Sequence, residues 1–95
     1  MERELAAVFL EHLAVMVDKV ETAFAARDGA ATLRALHTLR GASANLGADA
    51  LAELAAMVEQ PVTAGLWFEA EAQLKELRPL AERTGADFDA AYFED

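Results

Sequence analysis

From Glu4 to Arg27 the apolar residues Leu5, Phe9, Leu13, Met16, Val20 and Phe24 recur at steps of four, four, three, four and four, the period of one face of an α-helix. A stripe of that length must be buried, because a lone amphipathic helix leaves it in water, so the rest of the chain has to supply its partners. The rest is of the same kind. Only two prolines and five glycines punctuate the 95 residues, and much of the 55% hydrophobic content is alanine, the strongest helix former. The spacing predicts helices over about 4–27, 30–46, 48–60 and 66–84. Asp28-Gly29 and Gly47 mark the first two turns, and Asp49 suits the N-terminus of the third helix. Pro61 clashes with the carbonyl four residues back, which predicts a break or bend at Gln60 or just before it. Phe88, Tyr92 and Phe93 are left for a short C-terminal turn or helix. Short connections make sequential helices neighbours, so the expected fold is all-α, one domain over 1–95, an antiparallel up-and-down four-helix bundle.

Composition narrows the function. With no cysteine, disulfides, thiolate catalysis and cysteine-based zinc sites are excluded together. Eight basic against seventeen acidic residues give a net charge of −9, a field that repels nucleic acid and anionic membrane surfaces. No apolar run approaches the roughly 18 to 20 residues of a membrane span, and Met1-Glu2-Arg3-Glu4 lacks the basic start of a secretory signal, so a cytoplasmic protein is expected. None of the glycines forms a phosphate-binding P-loop. With only His12 and His37, and no His-x-x-x-His pair, a metal-dependent hydrolase is disfavoured. A protein partner or a small molecule remains.

Helix 2 carries the anomaly. At about 100° per residue, Thr32, Leu36, Leu39, Ser43 and Leu46 share one sector, and His37, Gly41 and Ala44 fall on the opposite side, which turns His37 away from the core. The residue one turn above it is Gly41, and glycine inside a helix costs about 1 kcal/mol relative to alanine. Clearance above the imidazole compensates for that cost; close packing of another helix is the other reading. Arg40, three residues on, can set a permanent cation beside anything attached to the ring, or simply pair with a surface carboxylate. Glu59, nearly level with His37 on the antiparallel neighbour, can accept a hydrogen bond from Nδ1–H and leave Nε2 as the nucleophile; otherwise it is a solvated helix residue. His12, at a stripe boundary, reads as a half-buried structural histidine. Leu10, Ala14 and Val17 are candidates for an apolar grip around His37, and Trp67, Phe68 and the aromatic tail either complete the core or form a contact patch.

The run His37-Thr38-Leu39-Arg40-Gly41-Ala42-Ser43-Ala44-Asn45-Leu46-Gly47-Ala48 resembles the signature of histidine-containing phosphotransfer (HPt) domains: a histidine, then a basic residue, glycine, small residues and Leu-Gly at the turn. The likeness extends over roughly Leu5 to Leu77. In that family the basic residue is commonly lysine where this chain has Arg40, and glutamine often stands at or beside the Glu59 position. The resemblance implies that His37 takes a phosphoryl group from one response-regulator receiver aspartate and passes it to another. It further implies Arg40 as charge stabiliser, Gly41 as steric access and Glu59 as a possible orienter of the ring. No cofactor of its own is implied, Mg2+ being expected on the receiver, and the domain is a phosphotransfer intermediate without ATP-dependent kinase activity. Expected partners are receiver domains and a hybrid histidine kinase, met by a monomer. The alternative is a degenerate bundle that acts as an adaptor or inhibitor, binding a signalling partner without phosphotransfer.

Overall fold

A computed structural model of the chain describes the backbone of residues 2–92 and the side chains of Val8 and residues 11–87. Five helical segments follow one another: α1 (Glu2–Ala25), α2 (Gly29–Asn45), α3 (Asp49–Thr63), α4 (Trp67–Leu74) and α5 (Leu77–Tyr92). α1 packs on α2 and α5, and α3 on α2, α4 and α5, so α4 and α5 together form the fourth member of an antiparallel bundle about 45 × 18 × 18 Å. This arrangement leaves the outer face of α2, flanked by α1 and α3, uncovered.

The turns explain why the helices stop where they do. α1, α2 and α3 each end on a residue in the left-handed region, Arg27 (φ 58), Gly47 (φ 78) and Gly65 (φ 75). At each end two amides fold back to orphan carbonyls. The wider bonds run from Asp28 N–H to Ala23 O (3.1 Å), Ala48 N–H to Ser43 O (2.8 Å) and Leu66 N–H to Pro61 O (2.8 Å), and the residue before each donor makes the narrower one. Asp28 then opens α2 as its N-cap, its carboxylate accepting from Ala31 N–H at 3.0 Å. Arg27 has no glycine's freedom, but its guanidinium donates to Phe24 O at 2.9 Å and lies over the Phe24 and Trp67 rings.

The core is apolar and runs the length of the bundle: Leu13, Val17, Val20 and Phe24 of α1; Leu36 and Leu39 of α2; Leu51, Leu54, Ala55, Val58 and Val62 of α3; Ala70, Leu74, Leu77 and Ala81 beyond. Each fully buried leucine or valine contributes roughly 1.5–3 kcal/mol. Trp67 packs edge-on against Phe24, ring centroids 5.2 Å apart, and so completes the core, whereas its neighbour Phe68 is 87% exposed.

Three expectations need correction. α3 continues through Pro61 to Thr63, because the proline sits in the last turn, where it forfeits a single ladder bond while buried Val62 still anchors the segment. The helix expected over 66–84 is interrupted at Lys75 and Glu76, four and three residues before Pro79, whose ring needs the space of the Lys75 carbonyl, and it then runs on past 84 to Tyr92. Val17 is 1% exposed rather than available to a partner, because α5 covers that side of α1; Ala14 is exposed. The side chains of the stripe residues Leu5 and Phe9, of the candidate Leu10 and of Phe88, Tyr92 and Phe93 lie outside what the structure describes.

Candidate functional site

The site is built on the middle of α2. Thr32, Leu36, Leu39 and Ser43 are buried, which fixes the rotation of the helix and turns His37 and Gly41 to solvent. Thr32 can be buried because its Oγ1 donates to Asp28 O at 2.7 Å. Ser43 is buried, and among the described residues its hydroxyl has no partner.

His37 is exposed. Arg40 reaches back one turn and its Nη2 donates to His37 Nδ1 at 3.1 Å. The same guanidinium meets α3: Nη1 lies 3.1 Å from Glu59 Oε2. That oxygen is buried and the contact is off-line for a hydrogen bond, so the pair is chiefly coulombic. Arg40 remains 39% exposed and Glu59 19%, which makes this an ion pair at the rim of the α2–α3 interface. His37, Arg40 and Glu59 are thus brought together, in an order the sequence did not suggest: among the described contacts Glu59 has no hydrogen bond to His37, and Arg40 stands between them. Being nearly level across a hairpin was legible; which of two polar side chains would occupy the gap was not, because Arg40 is long enough to fill it first.

A Cβ placed on Gly41 would meet nothing within 4 Å. Among the described residues, then, no other helix packs closely against the glycine, and the space outside it is open. Beside this face runs a groove between α1 and α2, lined by Val8, His12, Val15, Met16, Thr38 and Ala42 among others. Val8 and Val15 are about half exposed, at 50% and 47%. His12 is exposed in this groove rather than half-buried, since the buried sector of α1 is centred on Leu13, Val17 and Val20. Val8, His12, Val15 and Lys19, at steps of four, three and four, form a second, narrower stripe that the dominant core stripe masked.

Away from this face, Arg78 of α5 clamps α1: its Nη2 donates to Glu21 Oε1 at 2.8 Å and to the Asp18 carboxylate, and its Nε to Glu21 Oε2 at 3.2 Å. The hydrogen bonds to Glu21 and Asp18 push the Arg78 guanidinium further above its already high pKa. This is a structural tie and carries no reactive group. No helix among the described residues is long and apolar enough to cross a membrane.

No curated protein and no solved structure matched the chain. A family model did: the Hpt domain, over residues 4–86, which takes in nearly all of α1, the whole of α2 to α4, most of α5 and every residue of the site. The helical bundle and that match agree, and the chain belongs to the Hpt domain family of two-component phosphotransfer modules.

Proposed function

We propose that His37 is the phosphorylated residue, and that the domain relays a phosphoryl group between receiver-domain aspartates of response regulators. The observation that carries this reading is the exposed imidazole on the outer face of α2, with a guanidinium 3.1 Å from its ring and, among the described residues, open space at Gly41. In the transfer, the lone pair of His37 Nε2 forms an N–P bond in the tautomer that bears its proton on Nδ1. The P–O bond of the aspartyl phosphate breaks, and its electron pair leaves on the receiver carboxylate. The reverse steps deliver the group to a second receiver.

Each neighbour has a part. Arg40 supplies a fixed positive charge for the phosphoryl oxygens, within reach of the ring it already touches. Gly41 lets the partner surface approach, and Glu59 acts on Arg40 rather than on the ring. The groove carrying Val8 and Val15 gives a receiver an apolar strip beside the reactive side chain. Mg2+ is supplied by the receiver, and no ATP site is assigned to this chain.

Incubation with a phosphorylated receiver from the same genome tests the reading: acid-labile phosphate on the wild type and none on His37→Gln supports it. Receiver binding with no phosphohistidine selects the adaptor instead.

A further inference from the structure

We infer that Glu59, acting through Arg40, biases the resting imidazole of His37 toward the tautomer that carries its proton on Nε2, so that the attacking tautomer is a minority until Arg40 is drawn away. This rests on the reading of His37 as the phosphorylated residue and adds a positioning role that the relay alone does not require.

An arginine side chain has five donors and no acceptor. Its Nη2 lies 3.1 Å from His37 Nδ1, so Nδ1 presents its lone pair to the guanidinium and a neutral ring must carry its single proton on Nε2. Arg40 is held to this task from behind. Its Nη1 is 3.1 Å from Glu59 Oε2, a buried oxygen with no hydrogen bond of its own, so the guanidinium is the one charge available to compensate it among the described residues. In that tautomer, then, one ring nitrogen is capped and the other is protonated. Neither offers a lone pair for attack.

A docked phosphoryl group changes the balance, because its oxygens compete with a neutral nitrogen for the guanidinium and win on charge. When Nη2 turns to them, Nδ1 takes a proton from solvent and Nε2 gives one up; the ring stays neutral and the lone pair moves to Nε2, where the N–P bond forms. Coupling the tautomer to the partner's charge lets the docked phosphoryl group itself raise the share of the attacking tautomer.

The test is two-bond 1H–15N correlation of the imidazoles in the intact 15N-labelled chain, recorded at a pH where the spectra themselves show both rings neutral. His12, the other histidine, is the internal reference. Arg40→Met is expected to raise the Nδ1–H to Nε2–H ratio of His37 about fivefold, the size of one ordinary hydrogen bond lost. Glu59→Gln shifts the same ratio in the same direction by less, and the His12 signals stay in place in both. A wild type in which Nδ1–H predominates, or a ratio unmoved by both substitutions, overturns the inference. Phosphohistidine formation is read separately: uptake of phosphate with an unmoved ratio defeats this inference alone, and a responsive ratio without phosphate defeats the relay alone.

Discussion

Arg40 and Glu59 join α2 to α3 across 3.1 Å, beside the exposed ring of His37. The pair is partly exposed, so its worth is that of a surface ion pair. A double-mutant cycle with Arg40→Gln and Glu59→Gln, followed by urea denaturation, is expected to give a coupling of about 0.5–1 kcal/mol. Repeating it in 1 M salt, where the screening length falls to about 3 Å, should reduce the coupling. A coupling above roughly 2 kcal/mol contradicts the rim placement of the pair.

Gly41 separates folding from docking. With nothing within 4 Å of the place a Cβ would occupy, Gly41→Ala is expected to raise stability by up to about 1 kcal/mol in thermal or urea melts. Gly41→Leu should fold equally well and yet lose most receiver-dependent phosphorylation, because the added bulk stands where a partner must approach. Destabilisation by the alanine shows instead that the glycine serves the fold.

Ser43 and Thr32 are both fully buried on α2, and they should respond in opposite ways. Ser43→Ala removes a hydroxyl that has no partner and is expected to be neutral or stabilising by about 1 kcal/mol. Thr32→Val removes the 2.7 Å bond to Asp28 O beside the N-cap and is expected to cost about 1 kcal/mol. Urea midpoints of the two variants check the contrast.

Arg27 holds a left-handed backbone at φ 58 while its guanidinium covers Phe24 and Trp67. Arg27→Ala keeps the strained backbone and loses the contacts, whereas Arg27→Gly loses the contacts but relieves the strain. The glycine variant should therefore be the more stable of the two by about 1 kcal/mol, measured by thermal melts. Equal stability means that the backbone strain is not felt.

The bundle was legible because a 3.6-residue pattern of leucine, valine and alanine specifies which face of each helix is buried, and Asp28 and Gly47 punctuate it with residues suited to caps and turns. His37, Arg40 and Gly41 stood out for the same reason: once Leu36 and Leu39 point inward, their neighbours have a defined direction. The effects of Pro61 and Pro79 were not legible, since a proline's cost depends on whether it falls in a last turn or at a point where the ladder can open. Val17 and His12 exchanged roles because a stripe read from one helix does not reveal how wide a sector its two neighbours will cover. The contact of Glu59 with Arg40 instead of His37 depends on side-chain reach, which residue spacing leaves open.

The most direct measurement is transfer of labelled phosphate from a phosphorylated receiver to this chain, comparing wild type with His37→Gln. The account predicts acid-labile, alkali-stable label on the wild type and none on the variant. Label retained by His37→Gln, or no label from any receiver of the same genome, contradicts it.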